Sequence, residues 1–379
     1  MKLLINTSTL SATGVTQVAV SFINECKKLN ENDYHVFLSK TVASQINTND
    51  FPINFKFYEF TIHPIFTIQF FKTIKRIKEI EKNINPDCVF SVFGPSYWTP
   101  QIPHLQGYAY PYYVYPESPI FHKLTIKEKL KFIIYKISHK YLMRNNGKYF
   151  VSETKDVANR AVNYLACPQD KMFAVSNTCN SFYDHFIPSE KNILPIKAIN
   201  EFRFLSLCSY AKHKNLDILN KVIPLINQLN PGSVNIKFVL TIDETLLQKH
   251  FSYEAQQSII NIGRIEIAKC PQLYFECDAL FLPTLLECFS ANYPEAMKME
   301  RPILTSELSF ATSVCENAAL YFDPLNSENI TKTIFKLVYD QNISTELIKA
   351  GNRQISRFLT SEERAKKYIE ICNHIKNLK

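Results

Sequence analysis

A chain of 379 residues exceeds one ordinary domain, and its length predicts two to three. The 46% hydrophobic and 21% charged content fits a soluble globular protein; the net charge of +8 comes with no recognised nucleic-acid motif, so no nucleic-acid partner is expected. No apolar run approaches the roughly 18 residues of a spanning helix, and Met1-Lys2-Leu3-Leu4-Ile5-Asn6-Thr7 is too short an apolar stretch for a secretory signal, which predicts a cytoplasmic protein. Ten cysteines stand singly, without a Cys-x-x-Cys pair or zinc spacing, and read as reduced core thiols.

In the first half, strand-like runs fall at Leu3–Asn6, His35–Leu38, Phe55–Phe60, Cys88–Phe93, Ile102–Gln106, Tyr149–Ser152 and Phe173–Ser176. Helical patterns such as Val15–Lys28 and Ile68–Ile84 separate them. With only seven glycines in the chain, Gly14, Gly94, Gly107 and Gly263 are informative, because each follows a strand-like run. Two readings fit them: close approach of a ligand or helix to the backbone, or simple turn chemistry. His104, inside its strand, reads as a core histidine. The run Tyr108-Ala109-Tyr110-Pro111-Tyr112-Tyr113-Val114-Tyr115 either offers flat faces and hydroxyls to a carbohydrate or lipid, or packs on itself.

Residues 121–148 hold eight basic side chains against one acid, Glu128, a net +7. Ile126, Leu130, Ile133, Ile134, Ile137 and Tyr141 recur there at helical spacing. Such a basic amphipathic helix either contacts an anionic membrane surface or is an ordinary helix with a solvated face. The stretch Ile187–Glu201, with two prolines and mixed polarity, is predicted to be a linker.

The second half repeats the alternation, with runs at Phe202–Leu207, Ile236–Thr241, Ile259–Ile262, Ala279–Pro283, Pro302–Thr305 and Ala319–Phe322 and a helical pattern at Leu216–Leu229. Too many strands are present for one sheet, which predicts two doubly wound domains of parallel strands covered by helices. After the first of these runs come Ser209, Lys212 and Lys214, and a lysine in that position either neutralises a diphosphate leaving group or is a surface charge. Ile262-Gly263-Arg264-Ile265 ends another run. Between Ala279–Pro283 and Pro302–Thr305 lies Glu287-Cys288-Phe289-Ser290-Ala291-Asn292-Tyr293-Pro294-Glu295, two carboxylates across a strand-to-helix turn. Two acids at such a turn can grip neighbouring sugar hydroxyls, and the following helix can offer amide hydrogens to a phosphate, so the segment suggests a nucleotide-sugar. Thr360–Leu378 closes the chain as a charged amphipathic helix, with Ser361 as its predicted cap.

Three stretches carry a resemblance: Glu287 and Glu295 with seven residues between them, Arg301-Pro302-Ile303-Leu304-Thr305-Ser306-Glu307-Leu308-Ser309-Phe310-Ala311, and Asn317-Ala318-Ala319-Leu320-Tyr321-Phe322-Asp323-Pro324. In order and spacing they are similar to the retaining glycosyltransferases of family 4, the group 1 glycosyltransferases. Departures accompany the likeness. Glu287-Cys288-Phe289-Ser290 stands for the usual Glu-Gly-Phe-Gly, and Ser209 stands at the position of an arginine five residues before Lys214. Ser11-Ala12-Thr13-Gly14-Val15-Thr16-Gln17-Val18 resembles the family's glycine-rich loop with Thr13 in place of one glycine, and Gln106-Gly107-Tyr108 stands where a histidine is usual.

The resemblance implies a GT-B fold, two Rossmann-like doubly wound parallel-sheet domains facing a cleft. Residues 1–186 would be the acceptor-side domain, 187–201 the linker, 202–359 the nucleotide-sugar-binding domain, and 360–379 a helix packing back toward the first domain. It implies transfer of a hexosyl unit, with retention, from a UDP- or GDP-sugar to an acceptor hydroxyl. Glu287 and Lys214 would be catalytic. Glu295 would hold the ribose; Phe289, Ser290 and Ala291 would present amides to sugar and diphosphate; Ser209, Lys212, Gly263, Arg264 and Gly14 would complete the donor site. Gly107, Tyr108 and Tyr110 would line the acceptor side. No cofactor or metal is expected, since Asp-x-Asp is absent. The expected acceptor is a glycan or lipid-linked glycan of bacterial capsule or O-antigen assembly at the inner face of the cell membrane, with peripheral membrane contact through 121–148. A non-catalytic glycan-binding or scaffold relative and a nucleotide-sugar epimerase are the alternatives.

Overall fold

The computed structural model describes residues 1–11, 13–60 and 68–378; Ala12, in the predicted glycine loop, lies outside them. The chain forms two compact units: Met1–Pro116, Thr125–Asn177 and Leu359–Lys379 make the first, and Glu117–Leu124 with Thr178–Phe358 the second.

The first unit is built on seven parallel strands: β1 (Lys2–Asn6), β2 (Asp33–Ser39), β3 (Phe55–Phe60), β4 (Cys88–Ser91), β5 (His104–Tyr108), β6 (Tyr149–Ser152) and β7 (Met172–Ala174). Their order is β3-β2-β1-β4-β5-β6-β7. The strands read as continuous apolar runs because both sheet faces are covered. Leu3 and Ile5 of β1 enter one core with Val36, Phe90 and Phe22. Leu4, between them, enters the opposite core with Phe37, Val89 and Trp98. The predicted helix Val15–Lys28 is observed as Thr13–Glu25 followed by a 3-10 turn over Cys26–Lys28.

The C-terminal helix Ser361–Lys376 belongs to this unit. Tyr368 packs edge-on against Phe22 at 5.5 Å and tilted against Phe90 at 4.9 Å. The buried Arg364 guanidinium donates to Asn177 and to Ser21 Oγ. Thr360, not Ser361, caps the helix: its hydroxyl accepts from the Glu363 amide, and the Glu363 carboxylate accepts from the Thr360 amide. Ser361 Oγ instead donates to Glu25 at 3.0 Å.

The second unit has six parallel strands: β8 (Glu201–Ser206), β9 (Asn235–Leu240), β10 (Ile259–Asn261), β11 (Ala279–Leu282), β12 (Ile303–Ser306) and β13 (Ala319–Phe322). They run β10-β9-β8-β11-β12-β13, the doubly wound Rossmann arrangement. Phe204, Phe238, Phe281 and Phe322 form an aromatic spine across one sheet face, with centroids 5.4 to 5.6 Å apart for neighbouring pairs.

Two segments depart from the predicted boundaries. The stretch read as a linker, 187–201, is bonded into the second unit, whose longer segment begins at Thr178. The Ile193 and Leu194 amides donate to the Glu276 carboxylate at 2.9 and 2.7 Å, and Glu201 already lies in β8. The span 1–186 is also interrupted. Glu117–Leu124 joins the second unit, where Ser118 Oγ donates to the Leu285 carbonyl at 2.7 Å and Lys123 donates to Asn215.

Candidate functional site

In an open α/β sheet, ligands bind beyond the carboxyl ends of the two strands where the winding reverses. In the second unit those strands are β8 and β11. The loop after β8 carries a 3-10 turn, Lys212–Lys214, stopped by Asn215 in the left-handed region at φ 56°. Asn215 is 1% exposed, and its amide donates to the Pro324 carbonyl at 2.9 Å, which fixes the turn. The loop after β11 is tied to the same turn through the Leu285 amide, which donates to the His213 carbonyl at 2.7 Å.

These two ties bring Lys214 and Glu287 together. Lys214 Nζ lies 2.8 Å from Glu287 Oε1, with the side chains only 16% and 10% exposed. Burial works to lower the ammonium's pKa, but the Glu287 carboxylate and the Cys208 thiol together outweigh it and the net shift is upward. Lys214 therefore stays charged while largely removed from water. His213, beside the pair, is pushed down to about 4 by burial and by Lys214, so it is neutral near pH 7.

Glu295 sits in the first turn of the short helix Asn292–Lys298 and has a separate partner, the Tyr274 hydroxyl at 3.0 Å from Oε2. Tyr183 packs edge-on against Tyr274 at 5.9 Å. Burial raises the Glu295 carboxyl to about 7, against the opposing pull of the Tyr274 and Tyr183 hydroxyls. The helix is anchored by Asn292, which donates to the Leu207 carbonyl at 2.7 Å, and by the buried Tyr293–Thr305 hydroxyl pair at 2.9 Å. Cys288 and Ser290, at the two usual glycine positions, are both buried. Phe289 lies against Phe358 at 6.3 Å, and Ala291 is the residue from which the helix starts.

The remaining predicted residues separate into two groups. Ser209 and Lys212 are exposed on the Lys214 loop. Gly263 adopts φ +70°, a conformation that an L side chain rarely takes, so its backbone explains the glycine. Arg264 is exposed and forms a two-pronged pair with Asp243, at 3.0 Å for each contact. In the first unit, Gly14 is exposed in the first turn of the helix Thr13–Glu25. One acceptor-side expectation, Tyr108, is corrected. A Cβ on Gly107 would lie 1.8 Å from the Val92 carbonyl oxygen, so this glycine serves strand packing. Tyr108 is fully buried, its hydroxyl donating to the Tyr110 carbonyl at 3.1 Å, and presents no face to an acceptor. Tyr110 is half-buried and stacks on Tyr113 at 5.2 Å.

Sequence reading missed Tyr183 and Ser118, gave no role to His213 or Lys123 at this site, and set Tyr274 beside the nucleotide base rather than against Glu295. Their partners lie far along the chain, and only Lys123 carried a local signal, as part of the basic segment.

Residues 201–340 match the family model described as glycosyl transferases group 1. The whole chain is similar to a glycosyltransferase from Rickettsia africae at 15% identity and a TM-score of 0.69, covering 99% of this chain and 98% of that one. It is similar to the Anabaena protein HepE in complex with UDP-glucose at 11% identity and 0.70, covering 99% and 100%. It is similar also to WaaG, a glycosyltransferase involved in lipopolysaccharide biosynthesis, at 12% identity and 0.69, covering 98% and 99%. No curated protein matches. At these identities the structural likeness shows the fold, and the family match bears on residues 201–340 of the second unit. The whole chain thus has the GT-B fold of these structures, and residues 201–340 match the group 1 glycosyltransferase family within it.

Proposed function

We propose that this glycosyltransferase moves a hexosyl unit, with retention of configuration, from a UDP- or GDP-sugar to an acceptor hydroxyl. The observation that carries the reading is the buried Lys214–Glu287 pair at the reversal of the second sheet. A lysine held charged and shielded from water is suited to a diphosphate, whose negative charge grows as the anomeric C–O bond breaks. The bond to the acceptor oxygen forms, the electron pair of the broken bond goes to the diphosphate, and the acceptor proton leaves with it. Glu287 holds Lys214 in place and faces hydroxyls of the hexose. Glu295 accepts hydrogen bonds from the ribose hydroxyls, and Tyr274 orients it. The backbone of Phe289, Ser290 and Ala291 lies toward sugar and diphosphate. Lys212, on the same exposed turn, supplies the positive charge absent at Ser209.

A UDP-sugar is the first donor to test, because the similar Anabaena structure contains UDP-glucose. The acceptor we favour is a lipid-linked glycan of bacterial surface polysaccharide, a reading supported by the likeness to a glycosyltransferase of lipopolysaccharide biosynthesis. Screening UDP- and GDP-hexoses for hydrolysis and transfer tests the proposal. Turnover of at least one donor by the wild type and its sharp loss in Lys214→Ala, Glu287→Ala and Glu295→Gln are expected. Near wild-type turnover in all three variants overturns the site assignment. Product analysis without acceptor separates transfer from epimerisation.

A further inference from the structure

The helix Ile126–Asn146 is built the wrong way round for an ordinary surface helix. Its start is well made, a capping box in which Thr125 and Glu128 exchange hydrogen bonds. Its inner face is aromatic and polar. Phe132 packs on Tyr113 at 5.6 Å, His139 Nδ1 and the Tyr113 hydroxyl share a 3.0 Å hydrogen bond, and Met143 and Asn146 are buried. The outer face is aliphatic. Ile126, Leu130, Ile133, Ile134, Ile137 and Tyr141 are 50–79% exposed. At 100° per residue these positions fall in one stripe roughly 100° wide. The stripe runs for about 22 Å at 1.5 Å per residue.

A globular protein normally turns such a stripe inward, and a continuous exposed one marks an interaction surface. Charge decides which partner fits. On the same wheel Lys127 and Lys131 flank one side of the stripe, Lys129, Lys136 and Lys140 the other, and Arg144 follows along it. The only acid, Glu128, is occupied in the cap. A second copy of the chain would place like charges opposite each other. A nucleic acid would use the lysines and leave the aliphatic stripe in water. An anionic lipid surface uses both, with the aliphatic side chains entering the acyl boundary and the lysines meeting the headgroups.

We propose that the helix Ile126–Asn146 lies flat on an anionic lipid bilayer and inserts its outward aliphatic stripe. The inference does not depend on the donor reading, since it concerns binding to lipid without any sugar. No helix among the described residues is long and apolar enough to cross a membrane, so the contact is peripheral.

The test is co-sedimentation of the full chain with vesicles of phosphatidylcholine alone and of phosphatidylcholine with phosphatidylglycerol, at low and raised salt. Binding is expected to the anionic vesicles, roughly tenfold or more above the neutral ones, and to weaken with salt. The double variant Ile134→Ser, Ile137→Ser changes only exposed side chains, so its thermal unfolding stays that of the wild type while vesicle binding falls roughly tenfold. Lys127→Gln with Lys129→Gln lowers binding and flattens its salt dependence. Equal binding to neutral and anionic vesicles, no binding to either, or isoleucine variants that bind as the wild type does would each overturn the proposal. So would self-association in sedimentation velocity that these variants abolish without any vesicle binding.

Discussion

The two units share one winding and equip its reversal point differently. In the first unit the reversal lies between β1 and β4, in the second between β8 and β11. At the first, Asn6 donates to Ser91 Oγ at 2.9 Å, Ser91 Oγ meets His104 Nε2 at 2.9 Å, and Ser8 Oγ donates to Asn6 Oδ1 at 2.7 Å. Burial drives His104 down to about 4, so this chain of contacts is uncharged near pH 7. At the second, Lys214 pairs with Glu287 at 2.8 Å, and the ammonium's pKa is held up although its side chain is only 16% exposed. Topology therefore creates two equivalent places, and side chains decide which of them suits a diphosphate. A neutral network adds rigidity; a buried ammonium whose partner can release it adds a place for developing charge.

The strongest way to break the comparison is to remove the charge. Lys214→Ala is expected to lower kcat by about 10² to 10³-fold, the scale for losing a preorganised electrostatic group. It also leaves Glu287 buried without its cation, which costs about 3 kcal/mol of stability, measurable by denaturant unfolding. The double variant Lys214→Ala, Glu287→Ala should recover much of that stability and none of the activity. Gly107→Ala tests the first unit. Its methyl cannot fit beside the Val92 carbonyl, so β4 and β5 must separate, and a loss of about 3 kcal/mol or more is expected in unfolding experiments. An acceptor-specific rise in KM with unchanged stability would instead place Gly107 on the acceptor side.

Glu295→Gln sharpens the comparison from within the second unit. A roughly tenfold rise in donor KM is expected, the scale of one charge-assisted hydrogen bond. In the wild type, donor affinity should climb as pH rises through about 7 and Glu295 ionises, whereas the variant shows no such step. The stability sign is opposite. A carboxyl raised on folding favours the native state below its unfolded value and loses that contribution as pH climbs from about 4.5 to about 7. The wild type should therefore lose stability relative to Glu295→Gln across that window. The smallest effect belongs to Arg264→Ala. Its pair with Asp243 lies in water, and differential scanning calorimetry should find Tm unchanged.

Much of the fold was legible because both faces of each sheet are covered. Leu3, Leu4 and Ile5 enter cores on alternate sides, so the strand appears in sequence as an unbroken apolar run. The boundaries were less legible. Pro188 and Pro195 look like linker punctuation, yet the amides between them are bound by Glu276, 82 or 83 residues away. The Glu287–Glu295 spacing was readable, and so was a lysine after β8. Their division of labour was not, since one glutamate meets Lys214 and the other Tyr274, both set by tertiary packing. The cap of the last helix was one residue off although the Thr-x-x-Glu signature was present. Nothing near Gly107 announces the Val92 carbonyl that requires it.

Titration calorimetry of UDP and GDP into the wild type and Lys214→Ala tests the central claim most directly, because it reads diphosphate binding without acceptor or turnover. Binding of one nucleotide to the wild type, weakened at least tenfold in the variant, is the result this account predicts. Equal affinity for both proteins would contradict it and place the diphosphate away from the Lys214–Glu287 pair.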